Sequence, residues 1–264
     1  MATSQVLYFP HGGGPLPLLG DPGHKEMIDF LRAVVPALGK PSAILVISAH
    51  WEEPVPTITS STYPPLVYDY YGFPEESYQI TYPAPGNPEL AEKIQKLLKE
   101  SGIESRLDEH RGFDHGLFIP LKIMYPDALI PCIQLSLGRE LDPARHIRIG
   151  RALSSLRDEN VLVLGSGFSY HNLRAFFTSS PGHPDPANEA FQDWLVEVCA
   201  TEGLSDEERE KRLVRWETAP NARYCHPREE HLMPLHVCYG FSASCARKAF
   251  DGAILGKRAL AFLW

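Results

Sequence analysis

The sequence predicts an α/β fold: a single domain over residues 1–264 with a central mixed, mainly parallel sheet flanked by helices on both faces. Three observations carry this. Short β-rich runs recur along the chain, and two of them are continuously apolar, as strands covered on both faces must be. Stretches with helical apolar spacing separate them, the alternation that builds parallel sheets. A length of 264 residues also suits one large core better than two small ones.

The first strand is expected over Gln5–Phe9, followed by a helix over Lys25–Leu38 with Met27, Ile28, Leu31, Val34 and Val35 near helical spacing. Ala43–Ser48 and Asn160–Leu164 are the continuously apolar central strands. A helix over Pro88–Ser101 has Asn87 as N-cap, Pro88 at its first position and Gly102 as its stop. Leu129–Ser136 reads as a strand whose Pro131 favours a strand start or a sheet edge. Helices are expected over Asp142–Leu156, Ala187–Ala200 and the charge-rich Ser205–Trp216. Gly256–Trp264 is expected to close the sheet. Residues 174–190 form the longest loop candidate, either a lid or a surface excursion.

Composition bounds the function. A net charge of -8 argues against a protein that coats nucleic acid or an anionic membrane, and no apolar stretch approaches a membrane span. The opening MATSQ lacks a basic leader region. The five cysteines are scattered without CxxC spacing, which predicts buried free thiols, a reducing compartment and hence the cytoplasm. The expected assembly is a monomer or small homo-oligomer.

Eleven histidines must be sorted by position. His11 follows the first strand and opens an HGGGP loop, His50 ends VISAH, and His171 sits in GSGFSYHN beyond the third strand. In a parallel sheet the carboxyl ends share one edge, where ligands bind, so these three are expected to converge. A fourth segment, CHPREEHLMPLH, carries His226, His231 and His236. Pro234 suits the first turn of a helix starting near Met233, which leaves Glu229, Glu230 and His231 at its mouth. His236 then lies on the helix body, where packing accounts for it. His226 is either structural or a substrate contact. Neutral imidazoles suit iron, zinc or copper, and histidines alone do not separate oxygen chemistry from zinc-assisted hydrolysis.

Two other readings fail. HGGG resembles an esterase oxyanion loop, but GSGFS at 165–169 is not a G-x-S-x-G elbow. No G-x-G-x-x-G fingerprint or Walker A sequence is present.

The strings FPHGGGP (9–15), SAHW (48–51), YPAPG (82–86), GFDHG (112–116), YHNL (170–173) and EHLMPL (230–235) occur in this order. Together they resemble the 4,5-DOPA extradiol dioxygenase-like group of the LigB-type class III extradiol ring-cleavage dioxygenases. Each string alone is weak; the ordered set covers residues 9 to about 240 and is specific. The resemblance implies a non-haem Fe(II) enzyme, with Zn(II) an alternative occupant of the site. Its partners would be a small aromatic substrate, a DOPA-like catechol, and O2, both of whose atoms it inserts in opening the ring.

The resemblance assigns His11, His50 and His231 as metal ligands, with Glu230 the alternative third ligand. His171 matches an acid/base histidine, with a place beside the metal as its second reading. His115 matches a second pocket histidine that contacts substrate or oxygen. Trp51, Phe168, Tyr170 and Phe113 would wall an aromatic pocket, or else pack in the core, and His226 would contact substrate. The competing functions are a zinc-dependent hydrolase on the same histidines and a non-catalytic interaction protein. Retention of all five matched histidines argues against the latter.

Overall fold

In the computed structural model, which describes residues 5–178 and 185–264, eight strands form one twisted mixed sheet. The elements, in chain order, are β1 (Val6–Pro10), α1 (Lys25–Leu38), β2 (Ala43–Glu53), β3 (Thr57–Thr59), β4 (Leu66–Val67), α2 (Pro88–Glu100), β5 (Arg106–Asp108), β6 (Phe113–Asp114), α3 (His115–Met124) and β7 (Cys132–Gly138). They continue with α4 (Pro143–Ala152), β8 (Val161–Gly167), α5 (Leu173–Thr178), α6 (Pro186–Ala200), α7 (Asp206–Val214), α8 (Ala222–Cys225), α9 (Met233–Ser242), β9 (Arg247–Ile254) and β10 (Lys257–Leu263). The sheet order is β5-β3-β7-β2-β8-β1-β10-β9, while β4 and β6 form a separate small pair.

The centre, β7-β2-β8-β1, is parallel throughout. Its strands are apolar because both faces are covered. Alternation along β8 shows the two faces. A Cβ on Gly165 or Gly167 would strike Pro234 or His231, at the start of α9, whereas the Ser166 hydroxyl donates to Gly116 O on α3. The carboxyl ends of β1, β2 and β8 therefore lie side by side, as the sequence predicts.

The helix signals act as expected. Asn87 Oδ1 accepts from Leu90 N and caps α2, with Pro88 opening it. Pro234 lies in the first turn of α9. Several boundaries differ from expectation. β7 starts after Pro131 and lies inside the sheet; Pro131 needs no amide there, since it contributes its carbonyl to Ile44 N at 2.9 Å. β10 pairs antiparallel with β1 but is not the edge, because the mostly exposed β9 covers it. The helix expected to reach Leu156 stops at Ala152 and passes into a 3-10 turn over Ser154–Glu159. The expected 174–190 loop is helical up to Thr178 and again from Pro186; residues 179–184 lie outside the described residues. Among the described residues no helix is long and apolar enough to cross a membrane.

Candidate metal centre and cavity

Five histidines meet at the carboxyl edge of the central strands. His11 directly follows β1, and its amide donates to Gly167 O at 3.1 Å, tying it to the end of β8. His50 lies within β2 where the register with β7 slips between Ile47 and Glu52, an irregularity of the kind that re-aims side chains. His231 precedes α9. Its carbonyl accepts from Phe168 N and from the Tyr8 hydroxyl, both at 3.0 Å. Gly167 allows this approach: a Cβ there would sit 2.2 Å from His231 O.

The Nε2 atoms of His11 and His50 are 3.0 Å apart, and ligand atoms of His11, His50 and His231 all lie within 4.8 Å of one another. Each of the three has its other nitrogen beside an oxygen. His11 Nδ1 is 3.1 Å from Ser166 Oγ. That hydroxyl spends its proton on Gly116 O, so it accepts from His11 Nδ1–H. His231 Nδ1 is 2.9 Å from Glu230 Oε1, and His50 Nδ1 is 3.6 Å from Asp69 Oδ2. At His11 and His231 the hydrogen bond fixes the tautomer and leaves Nε2 for a cation, while at His50 the Asp69 carboxylate faces Nδ1 without bonding it.

Burial also keeps the rings neutral. The pKa values of all three are pushed well below the usual histidine value, chiefly by burial and then by repulsion from the neighbouring imidazoles; Asp69 partly offsets this at His50. Neutral imidazole is the form that binds metal.

The other two histidines flank the trio. The His171 ring stacks on His231 with centroids 3.4 Å apart, and its Nδ1 is 3.0 Å from the same Glu230 Oε1 that meets His231. His115 packs against His50 at 3.9 Å between centroids. Asp69 Oδ1 receives both its Nδ1, at 2.8 Å, and its amide, at 3.0 Å. Burial alone would raise the Asp69 pKa; the hydrogen bond and charge of His115, with His50, overcome it and bring it down to about 2. Glu230 is likewise lowered despite burial, through His171 and then Arg228. Beneath His115, the buried Asp114 carboxylate accepts from Ser48 Oγ at 2.8 Å, and Ser48 Oγ accepts from the His50 amide at 3.2 Å.

The five histidines and Glu230 line a cavity of about 960 Å³ together with Tyr70, Phe73, Phe168, Leu173, Phe176 and the HGGG loop. Phe168 lines it as expected. Trp51, Tyr170, Phe113 and His226 do not. Trp51 is buried away from it, donating to Glu53 Oε1 at 3.0 Å under the Arg111 guanidinium. Strand alternation explains this, since a neighbour of His50 points to the opposite face. Tyr170 packs behind the wall against Phe176, at 5.3 Å, and Phe113 is fully buried. His226 is a core histidine 2.9 Å from Ser169 O, and His236 bridges Leu232 O and Leu213 O inside α9's packing.

Sequence reasoning missed Asp69, Ser166, Tyr70 and Phe73. Ser166 lies inside the quoted GSGFS string. Asp69 stands in YDYY, a segment with neither helical nor strand periodicity, so nothing but its cluster of aromatics marked it.

Comparison with known proteins gives the chain's relatives. Residues 7–255 match the family described as the catalytic LigB subunit of aromatic ring-opening dioxygenase. The chain is 42% identical over 258 residues to a 4,5-DOPA dioxygenase extradiol of Beta vulgaris, covering 95% of this chain and 93% of that one. It is 41% identical over 257 residues to the dioxygenase tasH of Hapsidospora irregularis, covering 91% and 78% respectively. A crystal structure of an uncharacterized Escherichia coli protein superposes with a TM-score of 0.79 at 28% identity, over 98% of this chain and 99% of that one.

Proposed function

The chain belongs to the family of catalytic LigB subunits of aromatic ring-opening dioxygenases, and from that premise we propose that it opens a catechol ring at a ferrous ion held by His11, His50 and His231. The single observation that carries the ligand set is the 3.0 Å approach of the His11 and His50 Nε2 atoms, with His231 alongside and the Nδ1 atoms of His11 and His231 hydrogen-bonded elsewhere.

The residues fit such an ion. Two nitrogens bound at about 2.1 Å and at right angles sit about 3 Å apart, which is the observed separation. Three neutral imidazoles at the wall of an open cavity leave positions for substrate and oxygen. Glu230 is read as an anchor, with Oε1 beside the Nδ1 atoms of both His231 and His171, and His231 as the third ligand, because its ligand atom lies within 4.8 Å of those of His11 and His50. When bound, the ion would supply Lewis acidity toward the catechol oxygens and the electrons that make dioxygen reactive.

The chain's own residues supply the proton chemistry. His171, with Nδ1 held by Glu230, offers Nε2 to the cavity as the base that takes a catechol hydroxyl proton and later returns it. His115, whose Nδ1–H and amide both donate to Asp69 Oδ1, presents Nε2 from its side of the cavity as a hydrogen-bonding partner for substrate or oxygen. Tyr70 and Phe73 on one side and Phe168 on another hold an aromatic ring and exclude water.

The test is oxygen consumption. Protein loaded anaerobically with ferrous iron, mixed with a catechol (DOPA first, given the relatives' names) and exposed to air, should consume one O2 per catechol and yield a yellow ring-opened semialdehyde. Zinc-loaded protein should do neither. Turnover with zinc and without oxygen would contradict the proposal and point to hydrolysis.

A further inference from the structure

The turn that joins β9 to β10 carries the wrong residue for a turn. Leu255 and Gly256 have φ of +51° and +77°, the signature of a type I′ hairpin, where Asn or Asp followed by Gly is the unstrained choice. A leucine there is held in the left-handed region against its steric preference. Its amide is pinned to Gly23 O at 3.0 Å, and its side chain lies over Gly23, where a Cβ would come within 2.8 Å of Leu255 Cδ2. Leu255 remains 37% exposed, and it lines the mouth of the histidine cavity. Leu173, 57% exposed at the start of α5, lines the same cavity. Two exposed leucines, one of them strained, thus edge a single opening.

The charged groups around them are already engaged. Both described cations lining the cavity are bound to carboxylates: Arg228 donates two 2.5 Å hydrogen bonds to Glu52, and Lys257 Nζ is 2.6 Å from Asp185 Oδ2. The carboxylate of an amino-acid side arm would have to share these cations with carboxylates that already hold them. The cavity, at about 960 Å³, is near the upper end of small-molecule sites and leaves much space beyond a catechol ring.

We propose that Leu255 and Leu173 form an apolar subsite that selects catechols bearing a bulky uncharged hydrocarbon substituent over catechols bearing an amino-acid arm. This rests on the ring-opening function proposed above. Burying exposed leucines against such a substituent releases water, and no ion pair is broken.

The experiment compares kcat/KM of ferrous-loaded protein for 4-tert-butylcatechol and for DOPA. The expected ratio favours 4-tert-butylcatechol by about tenfold or more. Leu255→Asn, which suits the left-handed turn, should keep or raise the thermal midpoint while lowering that ratio about fivefold. Leu173→Ser should lower it as well, and provides the same readout from the other side of the opening. Calorimetric titration of anaerobic ferrous-loaded protein should show a more negative heat-capacity change for 4-tert-butylcatechol than for catechol, and that difference should shrink in Leu255→Asn. A ratio favouring DOPA, or one unmoved by both substitutions, overturns the subsite and leaves the ring-opening function standing. Failure of every catechol to react with iron demonstrably bound overturns both.

Discussion

The imidazole of His171 lies flat on that of His231, with centroids 3.4 Å and planes 22° apart. One oxygen of Glu230 lies within hydrogen-bonding distance of Nδ1 on both. The arrangement couples the proposed ligand, His231, and the proposed base, His171, through a single carboxylate. It also separates their tasks, because each ring keeps one nitrogen for the cavity.

Glu230→Gln removes the charge that both rings share. Metal affinity and kcat are each expected to fall about 10–100-fold, the usual cost of losing a group that orients a ligating histidine. Kinetics at saturating iron, together with a competitive-chelator titration, separate the two effects. Unchanged values for both would mean that Glu230 orients neither ring.

Asp69→Asn tests the opposite wall. It keeps the shape but loses the carboxylate that accepts from the His115 ring and amide and faces His50. At saturating iron kcat should drop about tenfold or more. A normal kcat would show that His115 needs no fixed orientation.

Gly167→Ala should act through sterics alone. A Cβ placed 2.2 Å from His231 O forces the histidine loop off the end of β8. We expect about 1–3 kcal/mol of destabilisation, typical of overpacking, together with weaker metal binding. Thermal melts with and without iron report both; an unshifted melt would mean that the loop moves aside freely.

Acid should unfold the metal-free protein early. Burial lowers His226 to about 3 and His236 to about 4, below the roughly 6.5 of an unfolded histidine. The unfolded chain therefore binds more protons as pH falls. These two groups cost nothing above about pH 6.5, and stability is lost progressively below it, down to their folded values. Between about pH 6.5 and 5 each should remove about 2 kcal/mol. A urea midpoint that stays constant from pH 7 to 5 contradicts this.

The central strands and the convergence of His11, His50 and His171 were legible in the sequence, because continuous apolar runs mark parallel strands and parallel strands share a carboxyl edge. The supporting carboxylates were not. Asp69 belongs to an aperiodic loop, and its role depends on a fold that brings residue 69 against residues 50 and 115. Trp51 misled for a local reason: adjacency to a ligand in sequence means the opposite face in a strand. The edge strand β9 gave no continuous apolar signal, because Arg247, Lys248 and Asp251 interrupt it, although its turn to β10 edges the cavity.

Three imidazoles, with no protein carboxylate, are proposed to hold the metal. Iron K-edge X-ray absorption of anaerobically loaded protein counts those ligands directly. The expected first shell has three imidazole nitrogens and does not change in Glu230→Gln. A shell of two imidazoles and a carboxylate oxygen, lost in Glu230→Gln, would make Glu230 the third ligand and contradict the assignment of His231.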